Sequence, residues 1–206
     1  MYRLLPLLLL LPAPAYSATI YDNGPPNQAD GSEITGFVQA EDFTLAASST
    51  FDSIRFWTLE DATSFSGSIL WWIYSDNNGE PDSILFSGTG VPEREPTLLT
   101  GLSLAEYLNR LSIPSVTLAP GTYWLALHNG PISNGEGAQM FWETADPNAS
   151  VNFGQELGLP EGTWTSNSLE HSFQLANSDI PEPGTMMLGI TALAAFAAAR
   201  RRMSKI

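Results

Sequence analysis

The sequence predicts an all-β fold, an antiparallel β-sandwich of jelly-roll type, and three observations carry that prediction. Apolar and polar residues alternate with a period of two along the middle of the chain, turn-forming residues separate the alternating runs, and one short segment is compatible with a helix. In order, the runs are residues 36–45, 53–59, 68–74, 83–87, 115–118, 122–128, 139–144 and 171–176. Successive side chains of a strand point to opposite faces, so each run offers one face to a core and the other away from it. Asn78-Gly79, Pro120-Gly121, Asn129-Gly130-Pro131 and Asp146-Pro147-Asn148 punctuate the runs, because Gly and Asn tolerate positive φ and Pro fixes φ without an amide donor. Residues 103–111 place Ser103 and Glu106 at capping-box spacing and read as a short helix or as a strand continuing to Ile113. Many short strands with almost no helix exclude a parallel sheet with crossover helices.

The two ends of the chain differ from its middle. Of the 8 basic residues, Arg3 lies at the start and Arg200, Arg201, Arg202 and Lys205 at the end, which leaves three arginines for a middle that holds all 22 acids. Residues 1–17 combine a positive start, a leucine run at 4–11 interrupted by Pro6, and a small-residue patch with Ala15 and Ser17. That is the tripartite pattern of a secretory signal peptide, with cleavage expected after Ser17. The run is too short to span a bilayer and is followed by Pro12 and Pro14. At the other end, Pro181, Glu182 and Pro183 precede fourteen uncharged residues, 186–199, and then Arg200, Arg201 and Arg202. Fourteen is short against the ~20 residues of a permanent span. An Ala-rich helix of this length suits a temporary anchor, with the arginines holding its end in the cytoplasm.

Pro-Glu-Pro, a short apolar helix and a terminal arginine cluster, on a chain with a signal peptide, resemble the PEP-CTERM sorting signal of exported Gram-negative proteins. The resemblance implies recognition and processing by the membrane enzyme exosortase. It casts Pro181, Glu182 and Pro183 as the sorting motif, residues 186–199 as a transmembrane helix that holds the chain in the membrane before processing, and Arg200, Arg201 and Arg202 as the membrane stop. It divides the chain into a signal peptide at 1–17, a β-sandwich ectodomain at 18–178 and a sorting segment at 179–206. It further implies delivery across the inner membrane to the cell surface or to an extracellular polysaccharide matrix such as a biofilm. In the middle, the blocks at 20–25, 40–43, 73–77 and 121–127 resemble those of uncharacterised PEP-CTERM ectodomains, which implies a sandwich without an established activity.

Composition narrows the chemistry. No cysteine means no disulfide, no thiolate metal site and no cysteine nucleophile. A net charge of −14 argues against nucleic acid as a partner, since phosphate binding needs clustered Lys and Arg. Two histidines, His128 and His171, and no Gly-x-Ser-x-Gly string leave no catalytic residues to nominate, and the chain is expected not to be an enzyme. A glycosidase needs only two carboxylates across a cleft, so a polysaccharide-modifying enzyme stays as the alternative from another class. Calcium would find oxygens at Asp76, Asn78 and Glu80 or at Asp22 and Asp42. The loop departs from EF-hand order, however, and an Asn78-Gly79 hairpin explains the same residues without an ion. No metal or cofactor is therefore assigned.

Beside a structural or interaction role, the aromatic residues suggest a carbohydrate-binding module as the first alternative, with extracellular polysaccharide as its partner. Sugar rings stack on flat aromatic faces, and all 6 tryptophans lie in the ectodomain. Alternation over 123–128 puts Tyr123, Leu125 and Leu127 on one face, which belongs in the core, and Trp124, Ala126 and His128 on the other. If the domain binds sugar, Trp124 and His128 are in the site; the competing reading is that loops of the domain cover those rings, since tryptophans are usually highly buried. Trp71 and Trp72 are adjacent, so one of them faces away from the core.

Overall fold

A computed structural model describes residues 18–132, 139–146, 152–158 and 162–177. Its described part has thirteen strands: β1 (Thr19–Asp22), β2 (Pro26–Glu33), β3 (Phe37–Leu45), β4 (Ser49–Glu60), β5 (Ile69–Asp76), β6 (Pro81–Gly90), β7 (Glu93–Gly101), β8 (Leu104–Leu118), β9 (Gly121–Asn129), β10 (Met140–Ala145), β11 (Gln155–Gly158), β12 (Trp164–Ser166) and β13 (Phe173–Ala176). They form two antiparallel sheets. The first follows the order β1-β13-β4-β10-β2, with β8 along the other side of β4 and β7 beyond it; the second runs β12-β11-β3-β9-β5-β6. This is the sandwich that the alternation predicts, and all the strands fall within one unit, Thr19–Ser178. The signal peptide, residues 186–199, Pro181, Glu182, Pro183, Arg200, Arg201 and Arg202 lie outside the described residues.

Of residues 103–111, all but Ser103 resolve as strand. They open β8, fifteen residues long, which pairs with β4 from Ser49↔Leu118 to Glu60↔Ala105. The capping-box spacing of Ser103 and Glu106 is overridden by a partner strand that takes up the backbone donors and acceptors in pairs. Ser103 instead lies with Leu102 in the turn from β7, both at positive φ. Five strands carried no usable alternation: β1, β2, β7, β11 and β12. β2 is the clearest case, since its sequence Pro-Asn-Gln-Ala-Asp-Gly-Ser-Glu reads as a loop. It is held by β10 on one side rather than by its own propensity.

The core lies between the sheets. Phe43 and Leu45 of β3, Trp71 and Ile73 of β5, and Leu125 and Leu127 of β9 meet Phe51, Ile54 and Phe56 of β4, Trp142 of β10, and Phe173 and Leu175 of β13. Phe43 meets Phe51 edge-on at 6.4 Å, and Trp142 meets Phe173 at 5.9 Å and 69°. Full burial of each such side chain stabilises by roughly 1.5–3 kcal/mol. A second apolar cluster, Val38, Ala40, Tyr74, Trp124 and Ala126, occupies the opposite face of the second sheet, with Trp72, Leu157 and Trp164 partly buried against it.

Candidate functional site

Along β3 the inward positions change character. Phe43 and Leu45 enter the apolar core, while Glu41 and Gln39, two and four residues earlier on the same face, carry polar groups and are completely buried. A buried carboxyl demands partners, and the chain around His171 provides them. That segment is placed by backbone bonds to β10: the Ala145 amide donates to the Glu170 carbonyl and the Ser172 amide to the Glu143 carbonyl, both at 2.9 Å. The His171 amide, facing the other way, donates to Glu41 Oε2 at 2.9 Å. The ring of His171 then spans the interior, with Nδ1 2.7 Å from the same Glu41 oxygen and Nε2 2.7 Å from Ser32 Oγ on β2. Trp142 packs over the ring at 4.8 Å and fixes its plane.

Electrostatics set the proton positions. Burial pulls the imidazole of His171 down from 6.5 to about 4, so the ring is neutral at pH 7. A neutral ring donates once and accepts once: Nδ1–H donates to Glu41, and Nε2 accepts the Ser32 hydroxyl proton. Burial raises the Glu41 carboxyl well above 4.5, and Glu170 is pushed up to about 8 by burial and by the charges of Glu41 and Asp42. The Glu41 and Glu170 carboxyls each keep one buried oxygen without a hydrogen-bond partner. The network continues from Ser32 to Asn167 (3.3 Å), to Gln39 (3.0 Å) and on to Glu156 (2.7 Å). A second carboxyl pair lies nearby: burial and Glu106 push Glu143 up to about 8, while Glu143 Oε1 accepts the Gln28 amide at 2.7 Å.

A surface cleft of about 220 Å³ opens beside this network, lined by Asn27, Asp30, Thr144, Phe153, Leu169 and Glu170 among others. It brings two carboxyls, Asp30 and Glu170, to one depression, and Glu170 is protonated at pH 7. General acid chemistry on a glycosidic bond needs two carboxyl groups across a cleft, one of them protonated.

Trp124 and His128 are placed otherwise than an open sugar platform requires. Both lie on the face opposite the core, as the alternation says, but Trp124 is 0% and His128 1% exposed. The indole is sandwiched laterally between Asp42 and Tyr74, its register partners, and donates to Asp76 Oδ1 at 2.9 Å. The imidazole turns back on its own chain, Nδ1 2.9 Å from the Gly130 carbonyl. Both rings are covered in this structure, and neither presents an open face. Trp71 enters the core and Trp72 the opposite face, as their adjacency requires.

The loop at 76–80 is the hairpin between β5 and β6. Asn78 (φ 56°) and Gly79 (φ 89°) both take positive φ, as a type I′ turn demands, and Asp76 Oδ1 accepts the Gly79 amide at 3.1 Å. Asp22 caps the Gly24 amide at 3.0 Å and accepts from Gln174 at 3.0 Å. Among the described residues no three acidic or histidine side chains converge on a point where a cation would sit.

Sequence reasoning missed Ser32, Glu41 and Glu170. His171 stands 130 positions from Glu41 and 139 from Ser32, so no local spacing links them. A signal was present on β3 alone: Gln39 and Glu41 share the strand face of Phe43, and polar residues on a core face announce a buried network.

Compared with known families, residues 179–202 match the PEP-CTERM protein-sorting motif. The matched stretch contains Pro181, Glu182 and Pro183 and reaches Arg202, so the motif and the arginine cluster both fall inside it. The class is thus an all-β sandwich followed in the chain by a PEP-CTERM sorting motif, which implies export, membrane-anchored sorting and processing by exosortase. No curated protein matches the chain.

Proposed function

We propose that this chain is an exported protein whose sandwich has a structural or interaction role at the cell surface or in the extracellular polysaccharide matrix, without enzymatic activity. The observation that carries the reading is the sorting motif at 179–202, which follows the last strand of the sandwich directly in sequence. In this reading Pro181, Glu182 and Pro183 are read by exosortase, residues 186–199 form a transient transmembrane helix, and Arg200, Arg201 and Arg202 stop it in the membrane. The ectodomain supports a non-catalytic role on two grounds. The Ser32–His171–Glu41 chain has the hydrogen-bond order of an acyl-transfer triad, but its ring is sealed and its base, at about 4, is poorly matched to neutral pH. The cleft of about 220 Å³ is also smaller than the ~300 Å³ at which ligand pockets begin.

The test is processing of the full chain in cells with and without exosortase. The reading expects a shortened, released product only when exosortase is present, and the same from an exported reporter carrying residues 180–206. A tail still attached in exosortase-positive cells would overturn it. Of the two alternatives, a carbohydrate-binding module and a polysaccharide-modifying enzyme, the second draws on the Asp30 and Glu170 pair, and carbohydrate turnover abolished by Glu170→Gln would establish it in place of the non-enzymatic role.

A further inference from the structure

β6 is the terminal strand of the second sheet: it pairs with β5, and no described strand occupies its other side. An open edge is a row of backbone donors and acceptors that another strand can complete, and natural edges are commonly guarded by lysines, prolines or inward charges. β6 has little of this protection. Pro81 stands at its first position, Asp82 is its single charged residue, and the whole ectodomain contains no lysine. Its middle is apolar and open to solvent, with Ile84 at 56%, Leu85 at 42% and Phe86 at 38% exposure. β7, the next strand, is the terminal strand of the first sheet, so both free edges on this flank belong to consecutive chain. Seven of the ten exposed large hydrophobic residues among those described fall between Ile84 and Leu102, three of them consecutive on β6.

We infer that β6 is a self-association edge, and that a second copy of this chain adds its own β6 antiparallel to it about a two-fold axis. The occupant must satisfy two demands at once. The backbone edge needs an extended chain, and Ile84, Leu85 and Phe86 need apolar cover that a sugar or an acidic peptide lacks. The chain itself contains a strand that meets both. Charge agrees with the two-fold arrangement: pairing centred on Phe86, just past the bulge at Leu85, sets Asp82 opposite Gly90 of the partner copy, so no like charges face each other across the seam. Phe86 to Gly90 keep regular register with Ile73 to Ile69, which leaves this half of the strand straight enough to be extended. A closed two-fold contact of this kind joins two six-stranded sheets into one continuous sheet.

The test uses the full chain in mild detergent micelles. Sedimentation should show a dimer at micromolar concentration, and Leu85→Lys should weaken it at least tenfold while the melting temperature stays within a few degrees. A second variant guards against misfolding. The chain has no cysteine, so Phe86→Cys introduces a single thiol on the expected axis, and mild oxidation should convert most of it to a covalent dimer. Ala47→Cys, in the loop between β3 and β4, should give less than a tenth as much. A monomeric wild type, a dimer unaffected by Leu85→Lys, or equal cross-linking at both cysteines would each overturn the inference. Processing by exosortase is measured separately, so failure of the dimer leaves the sorting reading standing.

Discussion

Replacing Glu143 by Gln isolates the consequence of burying an acid that must stay protonated. Glu143 is held at about 8 against an ordinary value of 4.5. Between those values the unfolded chain has released the proton and the native protein has not, so stability falls as pH rises through the window and levels off above the folded value. Glu170, Glu41 and Glu60 are shifted the same way, chiefly by burial. His171 opposes them, because its value is lowered from 6.5 to about 4 and its contribution is lost as pH falls through that range. Above pH 6.5 the histidine no longer contributes to the slope, so pH 6.5 to 8 is the window in which the acids act alone. One such group contributes at most about 1.4 kcal/mol per pH unit, or about 2 kcal/mol across the window, and solvent screening cuts this to roughly 1 kcal/mol. Gln keeps the carbonyl that accepts the Gln28 amide and cannot ionise. From pH 5 to 8 the penalty builds over three pH units to about 4 kcal/mol, or roughly 2 kcal/mol after the same screening, so at pH 8 Glu143→Gln should raise the melting temperature by roughly 4–8 °C, and near pH 5 it should change little. The assay is calorimetry or circular dichroism melting at half-unit steps of pH. An unchanged slope between pH 6.5 and 8, or a variant less stable than wild type at pH 8, would refute the assigned proton.

Three further outcomes follow from the packing. Trp124→Ala should destabilise by roughly 3–5 kcal/mol in denaturant unfolding, because a fully buried indole is removed, and Trp124→Phe by roughly 1–2 kcal/mol through loss of the bond to Asp76. Gly88→Ala puts a methyl 2.9 Å from the ring of Trp71, which the core holds in place, and should cost roughly 1–3 kcal/mol by the same measurement. Gly79→Ala, at a φ of 89° in the β5–β6 hairpin, should cost about 1 kcal/mol, whereas Ala at exposed Ser48 should be neutral.

Period-two alternation was enough to establish an all-β ectodomain and to assign Leu125 and Leu127 to the core, because a strand's two faces are written directly into neighbouring positions. The terminal address was legible for a related reason: Pro181, Glu182, Pro183 and the arginines all fall within one short stretch, 179–202, and a sorting signal is read as linear sequence. What covers a face is not local. Trp124 and His128 stood on the side that alternation assigned, yet their burial depends on other segments folding over that side, and no spacing within 122–128 encodes those. The type of 103–111 was equally non-local, since a capping-box pattern becomes a strand once β4 presents an edge along it. Ser32, Glu41 and His171 illustrate the limit most plainly. Three residues spread over 139 positions acquire shared protons and shifted acidity only when the two sheets close and remove water from between them.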